Sequence, residues 1–366
     1  MGSDAATAAG AVFINIDPFV VVALLGLGFL GGMLSGFIGS GGAFVLTPGM
    51  MNLGVPGSVA VASNMCHKFP KAIVGSWKRR KLGHVDLKLG LIMAVSAIAG
   101  VRVGVEVQNA ILEAWGTAGS NLYISVAFVV VLLVVGWTML RDVRSSMRVG
   151  SDDCTAGLAK RVANLNIPPM VRFGAARVRT SLWITVPLGF ATGMLAATIA
   201  VGGFVGVPGM IYVIGAPAFV ASGTELVIAV FSGLEGTIEW GMRGFVDLRL
   251  TLLILAGSLI GVQIGALGTT YVKQYMIKLV SALVMILAAV SRAMMVPVYL
   301  SGVGLLAVDE TTSGLLTLLS SVVLYGTLIS AGVLIIVAML KGKRAAEEAR
   351  GAAVLPEAST SPELVH

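Results

Sequence analysis

Eleven apolar spans, most of them about 20 residues long, run between residues 18 and 340. An α-helix rises about 1.5 Å per residue, so a span of this length crosses the roughly 30 Å hydrocarbon core of a bilayer. The chain is 57% hydrophobic and only 12% charged, whereas soluble domains carry about a quarter charged residues. These features exclude an ordinary soluble protein and predict an all-α polytopic membrane protein.

The charged residues are distributed as in a membrane protein. The 25 lysines and arginines exceed the 18 aspartates and glutamates, which gives a net charge of +7. Because the basic residues lie between apolar spans and not on one face, they indicate the positive-inside pattern and no nucleic-acid partner. The two cysteines, Cys66 and Cys154, form no disulfide framework and no CxxC pair, so we predict neither a metal nor a cofactor.

The first span, residues 18–38, carries glycines in the dinucleotide-binding pattern GxGxxG at positions 26, 28 and 31. The pattern lies inside an apolar span, without a preceding strand or an acidic residue about 20 positions later, so we reject that interpretation. Gly28, Gly32 and Gly36 form a small-residue stripe that favours close helix packing. No lysine or arginine precedes the span, so it is not interpreted as a signal peptide.

The two halves of the chain repeat each other at a spacing of 161 residues. The matching pieces are Gly28-Phe29 with Gly189-Phe190, Gly41-Gly42 with Gly202-Gly203, Asp86 with Asp247, and Gly100-x-x-x-Gly104 with Gly261-x-x-x-Gly265. Duplicated hydrophobic units are typical of secondary transporters, whose sites lie at the repeat interface near the membrane midplane.

The duplication predicts the domain organisation. The segments are an N-terminal segment 1–17, a first transmembrane repeat 18–140, a basic cytoplasmic linker 141–179, a second repeat 180–300, an extra transmembrane helix 301–340 and a polar cytoplasmic tail 341–366, expected to be disordered. If the short spans 41–55 and 202–215 cross the membrane, each repeat has five segments and the second is inverted. If they are re-entrant, the repeats are parallel. The lysine and arginine distribution favours the inverted arrangement, with the C-terminus inside.

The two short spans begin at Gly41 and Gly202 and have about fourteen residues, enough for only about 21 Å of helix. Thr47-Pro48 is typical of the N-cap and first helical positions, so we expect the first short helix to begin there, after an extended stretch. Unwound backbone is tolerated in a membrane only inside the protein or beside a cavity. The breaks at Gly39-Ser40-Gly41-Gly42 and Val201-Gly202-Gly203 are therefore predicted to lie at a transport site.

The order of these motifs resembles the TauE/SafE sulfite exporters, also called the toluene-sulfonate uptake permease family. The matching pieces are Gly39-Ser40-Gly41-Gly42-Ala43-Phe44, Gly54-Val55-Pro56 and Gly83-His84-Val85-Asp86 in the first half, and Val201-Gly202-Gly203-Phe204, Gly215-Ala216-Pro217 and Gly244-Phe245-Val246-Asp247 in the second. The resemblance covers about residues 20–300. It implies a bacterial inner-membrane permease for anions such as sulfite, sulfonates or sulfoacetate, although the long linker and the extra helix depart from the compact family pattern.

Polar residues inside the apolar spans mark the candidate site, because a charge at the centre of a membrane helix costs roughly 2.5–3.5 kcal/mol. In the span 58–77, one helical stripe contains Asn64, His67, Lys68, Lys71 and Gly75. The equivalent stripe in 218–240 contains Glu225, Ser232, Glu235 and Glu239. The first stripe is cationic and the second is acidic.

Our hypothesis is that Lys68 and Lys71, with His67, attract a small anionic substrate. The backbone at Gly39, Ser40, Gly41, Gly42, Gly202 and Gly203 would complete the cradle, and Ser63, Asn64, Thr224 and Ser232 would supply neutral hydrogen bonds. A buried carboxyl group, with Glu225, Glu235 and Glu239 as candidates, would carry a coupling proton. The alternative is an ion-paired network with a structural role.

Other polar residues receive structural interpretations. Arg102 and Glu106, four positions apart, are predicted to pair within one helix. Asp86 and Asp247 precede helices and are predicted to cap them. Trp77 and Trp240 lie at span ends and are predicted to anchor at the membrane interface.

Together with the resemblance, these features predict a secondary anion transporter that works by alternating access in the lipid bilayer, with H+ or another cation as the coupling ion. Two alternatives are an anion channel, whose flux follows only the electrochemical gradient, and a membrane sensor or accessory subunit with the linker as its output element. No set of nucleophile, base and acid is present in the sequence, so no enzymatic activity is predicted.

Overall fold

The computed structural model describes residues 14–38, 42–149, 167–272 and 274–353, and it is almost entirely helical. The helices are α1 Pro18–Ile38, α2 Ala43–Asn52, α3 Gly57–Lys81, α4 Leu87–Val149, α5 Leu182–Ile199, α6 Gly203–Pro208, the π-helical segment Gly209–Ile214, α7 Ala218–Met242, α8 Leu248–Tyr271, α9 Gln274–Gly302 and α10 Glu310–Ala353. Strands β1 Met170–Phe173 and β2 Val178–Ser181 form an antiparallel hairpin. Seven of the helices in these ranges are long and apolar enough to cross a membrane, which confirms the prediction of a polytopic helical membrane protein.

Helix α4 contains a break that divides its 63 residues into two arms. Gly116 interrupts the helix with φ 63° and ψ −166°, a conformation that a residue with a Cβ atom adopts only with strain. The two arms contain the two predicted apolar spans 88–107 and 121–140. The α4 break therefore accounts for two membrane-length spans within one helical element.

Glycines bring two pairs of helices into backbone contact. A Cβ atom on Gly28 of α1 would lie 2.5 Å from the carbonyl oxygen of Ile254 in α8. In the same way, a Cβ on Gly100 of α4 would lie 2.1 Å from the carbonyl oxygen of Phe190 in α5. The glycine stripe predicted in the first span thus packs helices, as small residues do in membrane proteins.

Helices α3 and α7 cross the centre of the protein in opposite directions. Gly236, near the end of α7, lies against Met65 in the first half of α3, while Gly75 in the second half of α3 lies against Leu226 near the start of α7. The two stripes singled out in the sequence lie on these two helices. Their antiparallel contact places the basic end of α3 beside the beginning of α7.

Helix α2 begins earlier than the sequence predicted. It starts at Ala43, so Thr47 and Pro48 lie inside the helix, and the expected helix start at Thr47-Pro48 is wrong. The side-chain amide of Asn64 donates to the carbonyl oxygen of Ala43 at 3.1 Å and to Oγ1 of Thr47 at 2.9 Å. This contact from α3 holds the first turn of α2, an interaction that local capping chemistry could not reveal.

The two aspartates that precede helices act as N-caps, as predicted. Oδ1 of Asp86 accepts a hydrogen bond from the backbone of Leu89 at 3.0 Å, and Oδ1 of Asp247 accepts one from Arg249 at 2.9 Å. Oδ2 of Asp86 also accepts from the backbone of Ala176 at 3.0 Å. Asp86 therefore joins the start of α4 to the β-hairpin.

Two other expectations are wrong. Trp240 is fully buried, and its indole Nε1 donates to the carbonyl oxygen of Ala197 at 3.3 Å, so it is not an interfacial anchor; Trp77, by contrast, is exposed. The expected disorder of the tail is wrong for residues 341–353, because α10 continues to Ala353, while residues 354–366 lie outside the described residues. Alanine, glutamate, lysine and arginine in that stretch all favour helix.

Candidate functional site

A cavity of about 230 Å³ lies between the two halves of the protein. It is bordered by α1, α3 and the start of α2 from the first half, and by α7, α8 and the start of α6 from the second. Its polar lining comprises Ser35, Asn64, His67, Lys68, Lys71, Lys78, Arg79, Glu225 and Gln263. The cavity is large enough for a small organic or inorganic solute.

The described residues of the two glycine-rich breaks line this cavity. Gly42 and Ala43 line it from the first half, and Val201, Gly203 and Phe204 from the second. The rings of Phe44 and Phe204 meet edge to face, with centroids 4.7 Å apart. Gly202 is buried beside α5, while Gly39, Ser40 and Gly41 lie outside the described residues.

Asn64 and His67 are buried and hydrogen-bonded to their surroundings. Asn64 holds the first turn of α2, as described above, and Nε2 of His67 lies 2.8 Å from Oγ of Ser258 on α8. Nδ1 of His67 lies 3.4 Å from Oδ1 of Asn64. These two side chains border the cavity and also fix α3 against α2 and α8.

Lys68 and Lys71 supply positive charge to the cavity. Both are partly buried, and both line it from the same face of α3. Among the described residues, no carboxylate forms an ion pair with either lysine. A cation in a largely apolar cavity of a membrane protein lacks the solvation that it has in water. An anionic ligand replaces that solvation, so the two lysines favour an anion.

Glu225 faces the cavity from α7. It is only 4% exposed, and within the described part of the chain neither carboxylate oxygen has a hydrogen-bond partner. Gly206 leaves the room that this carboxyl group occupies, since a Cβ atom there would lie 2.2 Å from Oε2. Buried polar atoms are normally partnered, so this carboxyl group is available for a proton or for a ligand.

Ser63 and Thr224 precede the cavity-lining residues Asn64 and Glu225, but their hydroxyl groups form hydrogen bonds outside the cavity. Oγ of Ser63 accepts from the backbone of Asp247 at 3.1 Å, and Oγ1 of Thr224 accepts from the backbone of Asp86 at 3.0 Å. Each hydroxyl therefore braces the loop before a helix of the opposite half. Ser232 is buried on α7 and is not part of the cavity lining.

Glu235 and Glu239 lie away from the cavity and are paired with arginines. Nε of Arg102 lies 2.5 Å from Oε1 of Glu235 and 3.7 Å from Oε1 of Glu239. Arg243 pairs with Glu239 at 2.5 Å and also with Glu106. The predicted intrahelical pair of Arg102 with Glu106 is therefore wrong, because Arg102 pairs with glutamates of α7 and Glu106 pairs with Arg243, the residue that follows α7.

Two cations at the cavity mouth, Lys78 and Arg79, were not among the predicted site residues. Both line the cavity, and Nη1 of Arg79 donates to Oγ of Ser222 on α7 at 2.5 Å. Lys78 continues the α3 stripe at the next helical position after Gly75. Extending the 3.6-residue period by one turn would have identified it.

These observations define a class: a polytopic helical membrane protein with a cation-lined cavity between its halves. The model of the family described as Sulfite exporter TauE/SafE matches residues 24–292. The chain therefore belongs to this family of membrane transporters, and the resemblance inferred from the motifs is confirmed. All of α10 and the last ten residues of α9, 293–302, lie beyond the matched region.

Two relatives from Bacillus subtilis (strain 168) are similar over most of their length. The "Probable membrane transporter protein YdhB" is 24% identical over 256 residues, which cover 68% of this chain and 91% of the relative. The "Probable membrane transporter protein YunE" is 22% identical over 278 residues, covering 74% and 95% respectively. No solved structure matches the chain significantly.

Proposed function

We propose that the protein is a secondary transporter that moves sulfite or organosulfonate anions across the bacterial inner membrane by alternating access, with H+ as the coupling ion. The main supporting observation is the cavity where both glycine-rich breaks meet Lys68 and Lys71. Family membership supports transport as such, and the charge of the cavity favours an anion as its cargo.

Anion binding is proposed to occur between the two lysines and the start of α2. Lys68 and Lys71 provide charge, and the beginning of α2 at Gly42-Ala43 lies on the same cavity. A helix N-terminus carries partial positive charge and favours oxyanions. Sulfite and sulfonates present three oxygens, which several separate donors can bind at once.

Glu225 is the proposed proton carrier. The carboxylate oxygens of Glu225 have no hydrogen-bond partner among the described residues. Glu225 lines the same cavity as Lys68, with which it interacts electrostatically. Because burial disfavours a lone carboxylate, its charge depends on whether the cavity also holds a cation or an anion. An anion bound to Lys68 and Lys71 therefore favours protonation of Glu225, and this couples transport of the anion to transport of the proton. Glu235 and Glu239 are less suited, because both are ion-paired.

Alternating access is proposed to follow from two inverted repeats. Asn64 and Glu225, which are 161 positions apart, lie on helices that run antiparallel. Equivalent contacts also recur at this spacing, since Asp86 bonds to Thr224 and Asp247 bonds to Ser63. Helix pairs that exchange equivalent contacts across two halves fit a transporter that alternates between two related states.

Uptake into proteoliposomes tests this function. Purified protein is reconstituted, and the flux of sulfite, sulfate, thiosulfate and several sulfonates is measured with and without an imposed pH gradient. We expect flux of sulfite or a sulfonate above that of empty liposomes, and accumulation that depends on the pH gradient. Flux that only dissipates the anion's own electrochemical gradient would indicate a channel, and no flux of any of these anions by folded protein would contradict the substrate assignment.

A further inference from the structure

The cavity opens between the second half of α3 and α8. Val74 and Lys78 of α3 and Gln263 of α8 line this opening, which we call the basic mouth. Val74, Lys78 and Gln263 are exposed in the structure. The cavity lining is thus exposed at the end where α3 carries its basic residues.

The repeat spacing identifies the equivalent positions at the other end of the protein. Adding 161 to Val74 and Lys78 gives Glu235 and Glu239 on α7, and subtracting 161 from Gln263 gives Arg102 on α4. Because α3 and α7 run antiparallel, these positions lie toward the opposite end of the central helix pair. We call the region where Glu235 and Glu239 meet Arg102 the acidic cleft.

Ion pairs span the acidic cleft, whereas the basic mouth is open. Arg102 contacts Glu235 and Glu239, and Arg243 joins Glu239 to Glu106 on α4. The cluster contains three carboxylates and two guanidinium groups, so it links α4 to α7 through several charge-assisted contacts at once. At the equivalent positions of the basic mouth, valine, lysine and glutamine cannot form this network.

From this asymmetry we propose that the acidic cleft is the second mouth of the transport pathway and that the Arg102–Glu235–Glu239 cluster is its gate, closed in this structure. The proposal rests on the alternating-access function given above. When the acidic cleft opens, Arg102 must separate from both Glu235 and Glu239. The gate residues act on access and do not bind the substrate, which also explains why Glu235 and Glu239 lie away from the cavity.

Cysteine labelling tests the gate without any substrate. Ser232 is buried, and its equivalent Lys71 lines the open cavity, so Ser232→Cys reports on opening of the acidic cleft. In a background of Cys66→Ser and Cys154→Ser, a membrane-impermeant maleimide is applied to vesicles of either orientation. With the gate intact, labelling from the acidic-cleft side should be slow. We expect Arg102→Gln to accelerate it about tenfold, as a shift in population toward the open state requires.

The substitution Arg102→Gln suits this test because glutamine already occupies the equivalent position 263. A charge swap, Arg102→Glu with Glu235→Arg, should restore slow labelling, whereas Arg102→Glu alone should not. Glu113→Gln is the matched control, because Glu113 accepts a hydrogen bond from Asn109 of its own helix at 2.8 Å.

Labelling that is unchanged in both Arg102 variants would overturn the gate. Wild-type protein that is labelled rapidly from the acidic-cleft side would overturn the gate. Labelling that responds as expected in a protein that carries none of the tested anions would support the gate and contradict only the proposed substrate.

Discussion

At the residue scale, the polar side chains that line the cavity fall into two groups. One group hydrogen-bonds to neighbouring helices and holds the fold, and the other stays available to bind a ligand. Asn64 and His67 direct their polar atoms to α2 and α8, whereas no direct ion pair involving Lys68, Lys71 or Glu225 is formed within the described ranges. The helical stripe of α3 could be read from sequence, and all four of its polar members line the cavity. The hydrogen bonds of Asn64 and His67 could not, because they depend on how α3 packs against α2 and α8.

Removing either cavity lysine is expected to impair transport. Lys68→Ala and Lys71→Ala should each reduce anion flux in proteoliposomes at least about tenfold, which corresponds to a loss of about 1.4 kcal/mol of anion stabilisation. Size-exclusion chromatography in detergent verifies that the variants remain folded. Arg80→Ala and Lys81→Ala, on exposed residues of the same helix that do not line the cavity, are the controls. Wild-type flux in both cavity variants would contradict the assignment.

Neutralising Glu225 is expected to uncouple transport from protons. Glu225→Gln keeps the size of the side chain but cannot release a proton, so accumulation driven by a pH gradient should be lost while exchange of anion for anion persists. Both are measured in the same proteoliposomes, with Glu113→Gln as a control. If the Glu225 variant still accumulates substrate in response to the pH gradient, another group carries the proton.

At the element scale, hydropathy alone located the membrane helices. The predicted spans 18–38, 218–240 and 250–268 correspond to α1, α7 and α8 within a few residues, because twenty consecutive apolar residues have few alternatives to a membrane helix. Errors arose where tertiary contacts outweighed local chemistry. Helix α2 starts at Ala43, where Asn64 of α3 bonds to its first turn, and not at Thr47-Pro48; Arg102 pairs with glutamates of α7 and not with Glu106.

The glycine contacts between helices predict that the effect of a glycine-to-alanine substitution on stability depends strongly on its position. Gly28→Ala should lower the melting temperature of the detergent-solubilised protein by several degrees, because its Cβ would meet the backbone of Ile254, and overpacking costs about 1–3 kcal/mol. Gly26→Ala, two positions earlier on the same helix, has no atom within 4 Å of the added Cβ and should leave stability unchanged or slightly higher. Equal melting temperatures for the two variants would show that the close approach of α1 and α8 is not required.

At the scale of the whole molecule, the cavity lining is exposed beside Lys78, and the ion pairs of Arg102 lie toward the opposite end of the α3–α7 pair. The 161-residue spacing was visible in the sequence, and it suggested that the glycine breaks would lie together. The depth of the cavity, its opening beside Lys78 and the ion pairs across the acidic cleft depend on how α3, α4, α7 and α8 pack. Charge patterns cannot give this arrangement, since the same glutamates could have faced the cavity.

Titration calorimetry of a sulfonate that does not react with thiols tests most directly whether the cavity is an anion site. The wild-type protein in detergent should bind one anion per chain, and the double variant Lys68→Ala/Lys71→Ala should lose that binding. The double variant Arg80→Ala/Lys81→Ala removes the same charge from the same helix outside the cavity and should bind as the wild type does. Undiminished binding by the folded Lys68→Ala/Lys71→Ala protein would contradict an anion site at the meeting point of the two glycine-rich breaks.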